Sequence, residues 1–272
     1  MLRVSAFTVA VVGLLAVDAV AQDFSVYTKV FDLDAKEVNV PIVRSQTVSH
    51  AGKIYDAIPA AGEVTILEPA HRRIWIVNPG KGCIASVDFD ELRHLLRTAE
   101  ERLAQRLPEL ERQPDASRVV TDSLRFQLRP YFEAEFDPGK HRLRLLSKHL
   151  SYDVEGQTSD RPEALEAYLT YADWACRLNY VLHPQPLFPT VRLELNEQLR
   201  RQKLMPTRVT LRAKLDRPVN LRAEHQLAWT LDNRDRQSIS KWETLLRDPK
   251  LQKVSLSEYQ RIALGQQVVK AR

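Results

Sequence analysis

Residues 62–92, with the sequence GEVTILEPAHRRIWIVNPGKGCIASVDFDEL, contain the change of period that decides the fold. Up to Val87, apolar residues alternate with polar ones, and glycine or proline separates the short runs, as in an antiparallel meander. From there, Asp88-Phe89-Asp90-Glu91 has the pattern of a helical capping box, and leucines follow at helical spacing until Pro108. The pattern predicts a meander over residues 24–87 and then a helix.

Beyond this helix, the same two periods predict further strands and helices. Leu124, Phe126 and Leu128 alternate with polar residues, which favours a strand, and Asp137-Pro138-Gly139-Lys140 has the residues of a type II turn. No internal repeat is recognised. Helices are predicted over residues 160–182 and 187–203, and also around Trp242 and after Ser255, and long strands are predicted over 207–215 and 219–231.

The arrangement of these segments indicates the fold class. Strands cluster apart from helices, which favours an α+β fold over a parallel βαβ sheet. The helix over 160–182 is apolar on two faces, so we expect other elements to cover it from several sides. We predict a curved antiparallel sheet, an incomplete barrel, wrapped around helices. Residues 22–272 are expected to form a single α+β domain, and a subdivision near 108–118 is the alternative.

The first 21 residues have the pattern of a signal peptide. A basic start at Arg3 precedes an apolar run from Val4 to Val17, and Ala19-Val20-Ala21 fits the rule for cleavage after Ala21. The run is too short for a membrane span of about 20 residues. We therefore expect a periplasmic or secreted protein with no transmembrane segment after cleavage, a location that disfavours NAD- or ATP-dependent chemistry.

The composition is that of an ordinary globular protein. The 272 residues are 44% hydrophobic and 28% charged, with a formal net charge of +5, which excludes a disordered chain or a polytopic membrane protein. Residues 80–85 superficially match the dinucleotide pattern G-x-G-x-x-A, but the predicted helix begins too late to meet a phosphate. We interpret this segment as a hairpin turn and predict no cofactor.

Histidine and acidic residues give few candidates for chemistry. The seven histidines form no metal-ligand or catalytic motif, so no metal site and no catalytic residue are predicted. Pairs such as Asp232 and Asp235 are spaced like helix caps or surface charges. His225 is different, because it shares strand parity with apolar residues and points inward. A hydrogen-bonded core histidine is the commoner case, yet His225 is also the best candidate for a polar group in a cavity. The candidate ligand-binding residues are His225, Trp229, Tyr168 and Tyr171.

Basic residues cluster between residues 200 and 222. If the predicted strands share one sheet, its outer face is cationic and would suit anionic envelope lipid or polysaccharide. The alternative is a solvated face that prevents edge pairing, and nucleic acid is disfavoured because aromatic residues are not interleaved. The residues of this predicted basic face are Arg208, Arg212, Lys214, Arg222, Arg142 and Arg144.

The two cysteines, Cys83 and Cys176, leave two alternatives open. An oxidising compartment permits a disulfide between them, which would close a long loop. The other alternative is two separate buried thiols, since Cys176 falls on an apolar face of a predicted helix.

Three segments carry a resemblance to a known fold: Gly52–Asp56, Glu63–Pro69 and Arg72–Val77, followed by the capped helix. This pattern, over about residues 24–155, resembles the lipoprotein-carrier (LolA/LolB-like) fold, an incomplete antiparallel barrel wrapped around helices. Taken whole, the chain is also similar to an uncharacterised family of exported planctomycete-type proteins. The resemblance implies a cavity for an acyl chain or another apolar ligand, and it transfers no ligand-contacting residue.

These observations lead to a non-enzymatic, exported protein that binds or carries a lipid or another apolar ligand. One alternative is a structural or protein-interaction module of the cell envelope whose core is filled by its own side chains. A second alternative is a hydrolase that uses His225 with an unrecognised partner.

Overall fold

Twelve strands and six α-helices account for most of residues 23–113, 117–182 and 187–265, which are the residues described by the computed structural model. The predicted signal peptide lies outside these residues. The strands are β1 (Phe24–Asp32), β2 (Val43–His50), β3 (Lys53–Ile58), β4 (Glu63–Glu68), β5 (Arg73–Asn78), β6 (Cys83–Asp88), β7 (Glu133–Asp137), β8 (Arg142–Leu146), β9 (Leu150–Thr158), β10 (Leu204–Ala213), β11 (Val219–Ala228) and β12 (Gln252–Val254). The helices are α1 (Phe89–Arg112), α2 (Arg118–Leu128), α3 (Pro162–Leu182), α4 (Pro189–Arg201), α5 (Asn233–Leu246) and α6 (Leu256–Ala263).

All twelve strands belong to one sheet, in the order β12-β6-β5-β4-β3-β2-β1-β11-β10-β9-β8-β7. Neighbouring strands are antiparallel except β12 and β6, which are parallel. The predicted α+β class and the antiparallel sheet are confirmed, and the sheet is not closed, because β12 and β7 do not pair. Strand β1 lies between β2 and β11 and so joins the N-terminal meander to the later strands.

A ten-residue repeat builds the meander from β3 to β6. Pro59, Pro69 and Pro79 each begin a short 3-10 turn, and the residue three positions later adopts a left-handed conformation. That residue is glycine twice and Arg72 once. The prediction that the chain has no internal repeat was wrong, because the glycine of the first and third turns is replaced by Arg72 in the second.

The two faces of the sheet pack against different helices. On what we call the α3 face, Ile54, Ile76 and Val87 contact α1, α3 and α6. On the opposite α5 face, Val48 and Ile66 cluster with Ile239 and Trp242 of α5. Because side chains alternate along a strand, consecutive residues such as Ile54 and Tyr55 enter different cores.

Helix α3 joins two hydrophobic clusters. Leu165 and Leu169 in its first half pack with β8, β9, β10 and α4, whereas Leu178 and Leu182 near its end pack with β3 to β6 and α1. The predicted helix over 160–182 and its burial on several sides are confirmed. This helix therefore crosses from one half of the sheet to the other.

One predicted strand was wrong. Leu124, Phe126 and Leu128 belong to helix α2, not to a strand. The buried side chains of α2 are the polar residues Thr121, Ser123 and Gln127, so the alternation of apolar residues did not identify the buried side. Gln127 is held by a tertiary contact, since its Oε1 accepts a 2.7 Å hydrogen bond from the backbone N–H of Phe188.

Several boundaries also differ from those predicted. Helix α1 continues through Pro108 to Arg112, and its N-cap Asp88 makes no side-chain capping bond. The turn after β7 is not of type II, because the residue with positive φ is His141 and not Gly139. Strand β12 was not predicted; it is only three residues long and pairs with β6 at the sheet edge. No helix among the described residues has both the length and the hydrophobicity that a membrane span requires.

Candidate functional site

The structure brings three of the four predicted ligand-binding residues to one region, between β11 and α3. His225 lies on the α3 face of β11, and its ring meets that of Tyr168 edge-on at 6.2 Å between centroids. Tyr171 lies three residues further along α3. Trp229 lies just beyond the end of β11, where it contacts Phe24 and the guanidinium of Arg161. The candidate site is therefore centred on His225 and the two tyrosines.

His225 is held as a neutral side chain. Its Nδ1 is 2.9 Å from the hydroxyl of Thr28, which is its register partner on β1. Burial, together with the positive charge of Arg192, lowers the pKa of His225 to about 4. Its Nε2 is buried and has no hydrogen-bond partner among the described residues. A buried polar atom without a partner costs about 1–3 kcal/mol, so Nε2 is an unsatisfied polar atom on the α3 face of the sheet.

Asp56 is a buried carboxyl that was not predicted as a site residue. It lies on the α3 face of β3, and the hydroxyl of Thr47 donates a 2.7 Å hydrogen bond to its Oδ1. Burial raises the pKa of Asp56, and hydrogen bonds from Thr47, Tyr171 and Ser45 only partly oppose this. The sequence signal was its parity with Ile54 and Ile58, which places an acid on an apolar side of the strand.

The two tyrosines connect these polar groups to α3. Burial, and then the charge of Asp56, raise the pKa of Tyr171 well above its usual value. Burial also raises the pKa of Tyr168, which Arg192 and Asp56 influence in opposite directions. Both hydroxyls therefore stay protonated and can donate hydrogen bonds.

A second polar network, on α3 and α4, was also missed. Arg192 Nε donates to Asn196 Oδ1 at 3.0 Å, and Asn196 Nδ2 donates to Asp173 Oδ1 at 2.7 Å. Arg200 then binds the other oxygen of Asp173 at 2.7 Å. The signal was the spacing of Arg192 and Asn196 beside the buried apolar stripe of α4, which in an isolated sequence is also the pattern of a solvated helix edge.

The apolar wall around His225 is only partly buried. At the start of β1, Phe24 and Val26 are fully buried, but further along the same face Thr28 and Val30 are only partly buried. Residues of α3, β10 and β11 that lie around His225 are also only partly buried. Residues on the α3 face or on α3 itself that remain partly exposed are Thr28, Val30, Ser45, Tyr171, Ala175, Leu211, Leu221, Ala223, His225 and Leu227.

The predicted basic face does not present free positive charge over most of its area. The register places Arg142, Arg144, Arg208, Arg212 and Arg222 on the α5 face, and Lys214 follows with the same parity. Acidic residues share that face, however, and four of the arginines are paired. The ion pairs are Arg142 with Asp153, Arg144 with Glu135, Arg208 with Glu155 and Glu224, and Arg222 with Glu224.

The cysteines are separate thiols. Cys83 is buried among the residues that pack on α1 and α6, and Cys176 is partly exposed and donates to the carbonyl of Asp173 at 3.2 Å. The disulfide alternative is not formed. Burial raises the pKa of both thiols, that of Cys176 to about 12.

Other sequence motifs have structural roles. The segment that matched G-x-G-x-x-A is a hairpin turn, as interpreted, with Gly82 in the left-handed conformation. Asp232 and Asp235 form the capping box of α5. Within residues 23–113, 117–182 and 187–265, no three His, Cys, Asp or Glu residues are grouped as metal ligands.

Comparisons with known proteins give no family. No family model and no curated protein matches the chain. Among solved structures, "Structure of PNGF-II in P21 space group" matches with a TM-score of 0.37 and 8% identity, over 90% of this chain and 34% of that chain. The chain thus spans about a third of the length of that structure, and a TM-score this low carries no argument about fold or function.

Proposed function

We propose that this chain is a non-enzymatic carrier that binds a lipid or another apolar ligand between the α3 face of its sheet and α3. The observation that carries the proposal is the partly exposed apolar wall around Val30, Ala223 and Leu227, of which Ala223 and Leu227 pack against the buried cluster that includes the first half of α3. Each methylene of a ligand buried there contributes about 0.8 kcal/mol. An acyl chain is the simplest molecule that matches a long apolar wall.

The proposal includes the finer architecture. The sheet acts as an incomplete barrel that curves around α3, so that the helix and the sheet enclose the ligand from two sides. The contacts of α3 with both hydrophobic clusters support this arrangement. The resemblance of residues 24–155 to the lipoprotein-carrier fold points in the same direction.

The proposal also places the protein outside the cytoplasm. The pattern of the first 21 residues supports export, with cleavage after Ala21. Expression with the full N-terminus in a Gram-negative host tests this, because a periplasmic fraction that contains protein beginning at Gln22 supports export. A cytoplasmic protein that retains Met1 would contradict it.

Ligand uptake is tested with two variants of one strand. Ala223 faces α3 and Ala228 faces the other way, so Ala223→Trp fills the proposed interior and Ala228→Trp leaves it unchanged. The probe is cis-parinaric acid, whose fluorescence increases in an apolar site. We expect the parent and Ala228→Trp to bind it and Ala223→Trp to bind it weakly, while circular dichroism shows all three to be folded.

Two results would contradict the carrier. The first is a parent that takes up no probe and has only its own mass in native mass spectrometry. That result favours the structural module with a filled interior. The second is equal binding by Ala223→Trp and the parent, which would place the probe elsewhere on the surface.

A further inference from the structure

The guanidinium of Arg192 lacks an acidic partner, in contrast to its neighbour on the same helix. Arg200 forms salt bridges with Glu166 and Asp173. Arg192 reaches Asp173 only through the neutral amide of Asn196. Among the described residues, no carboxylate lies within salt-bridge distance of Arg192. Its positive charge is therefore not neutralised by an acidic side chain, and it acts on neutral groups nearby.

Those groups line the interior. Burial raises the pKa of Tyr168 of α3 and of Tyr152 of β9, and the charge of Arg192 opposes this rise. Burial lowers the pKa of His225 of β11, and the charge of Arg192 adds to this effect. Tyr168 is buried and its ring contacts that of His225. The positive charge of Arg192 therefore influences residues of α3, β9 and β11, and the partly exposed apolar wall includes residues of β11.

His225 adds a hydrogen-bond donor at the same place. When Thr28 donates to Nδ1, the proton of the neutral ring lies on Nε2, and this atom is the one that is buried without a partner. In this tautomer, a donor without a partner and a cation without an acidic partner are both unfavourable. Both costs are removed by an anion that accepts from His225 and faces Arg192.

We propose that the ligand is a fatty acid whose carboxylate is held between Arg192, His225 Nε2 and the Tyr168 hydroxyl, with its acyl chain along Val30 and Ala223. This inference rests on the proposed carrier function and adds the class of head group. A planar carboxylate suits a guanidinium, which donates two parallel hydrogen bonds to it. A long-chain alcohol has the same apolar part and lacks the charge.

The test compares palmitate with 1-hexadecanol, measured by displacement of cis-parinaric acid. We expect palmitate to bind the parent at least about tenfold more tightly than the alcohol, since charge-assisted hydrogen bonds are stronger than neutral ones. Arg192→Gln is expected to remove this preference and to retain binding of the alcohol. Arg208→Gln removes a positive charge from the α5 face and serves as the matched control, in which the preference is retained.

A spectroscopic measurement accompanies the displacement assay. A carboxylate beside His225 favours its protonated form, so palmitate is expected to raise the pKa of His225 from about 4 in an NMR titration. Hexadecanol is expected to leave it unchanged. Arg192→Gln, if it fails to fold, is replaced by Arg192→Lys, which retains the charge and should retain part of the preference.

The outcomes separate the two proposals. If neither palmitate nor hexadecanol displaces the probe, the carrier itself is contradicted. If both bind with equal affinity, or if Arg192→Gln and Arg208→Gln behave alike, the carrier stands and the carboxylate site is contradicted.

Discussion

Thr47 donates its hydroxyl proton to the Asp56 carboxyl at 2.7 Å, across the register pair that joins β2 to β3 in the meander. Both side chains lie on the α3 face, where the Tyr171 hydroxyl also bonds to the same carboxyl. A single acid thus links two strands to the helix that crosses them. Its protonation affects both the packing of α3 and the stability of the protein.

Asp56→Asn is expected to stabilise the protein near neutral pH. Burial raises the folded-state pKa of Asp56 above its unfolded value of about 3.9. The free energy of unfolding therefore decreases as pH rises through and above the unfolded pKa, and asparagine removes this loss while still accepting from Thr47. Urea unfolding of the parent and the variant at several pH values checks this prediction. The difference in the free energy of unfolding should disappear toward pH 3.

Asp153→Asn provides the opposite control. Hydrogen bonding to Arg142 lowers the pKa of Asp153 despite partial burial, so its carboxylate stabilises the fold above its unfolded pKa, and this stability is lost as pH falls through the folded pKa. The variant should be less stable than the parent at neutral pH and equal to it in acid. Equal behaviour of the two variants would contradict the assignment of Asp56 as a destabilised carboxyl.

Gly156→Ala should weaken the pairing of β9 with β10. A Cβ at position 156 would lie 2.5 Å from the carbonyl oxygen of Met205 and 2.8 Å from Leu204 Cγ. Because the first of these is backbone, the strands must shift, and we expect a loss of about 1–3 kcal/mol in the free energy of unfolding. Gly139→Ala is the control, since its nearest neighbour is a side-chain oxygen at 3.4 Å. Equal stability of the two variants would be inconsistent with this close approach.

Thiol reactivity distinguishes the two states of the cysteines. Burial raises the pKa of Cys176 to about 12 and that of Cys83 above its usual value, so few thiolates exist in the folded protein at pH 8. The reagent DTNB should react slowly with the native protein. After unfolding without reductant it should titrate two thiols, as expected for two free cysteines. A titre of zero would show that a disulfide had formed.

Adsorption to anionic surfaces should depend on the unpaired cations of the α5 face. Arg142 is paired with Asp153, whereas no carboxylate among the described residues forms a salt bridge with Arg212. We expect Arg212→Ser to weaken retention on a heparin column more than Arg142→Ser. Moderate salt should abolish what remains, because exposed charges are screened beyond about 10 Å at 0.1 M. A stronger effect of Arg142→Ser than of Arg212→Ser would instead support the original prediction of a continuous cationic face.

Much of the fold follows from periodicity alone. The meander and helix α3 were predicted because apolar residues there occur at every second position or at helical spacing, and these residues are the ones buried. Helix α2 was not predicted, because its buried residues Thr121 and Gln127 are polar and their partners lie far along the chain. Short β12 depends on the neighbouring edge of β6 and carries no local pattern.

The candidate site was predicted only in part for a similar reason. Strand parity placed His225 inward, and helical spacing placed Tyr168 and Tyr171 together. Asp56 and Arg192 acquire their roles only through partners on other elements, namely Thr47 and Asn196. The ion pairs of the basic face could not be predicted from the sequence either, since Arg142 and Asp153 become neighbours only through the register of β8 and β9.

The central position of β1 governs the order in which the chain can fold. Thr28 and its partner His225 are 197 residues apart in sequence, and β11 pairs with the edge of β1 that faces away from β2. Pairing of β1 with β11 requires the closure of a very long loop, so an interval separates the formation of the meander from its pairing with β11. During that interval the meander presents the hydrogen-bonding edge of its first strand to solvent, as an exposed template for other chains. A chain that stops before Val219 would keep this edge permanently, so truncation near the C-terminus should cause aggregation and not merely a smaller protein.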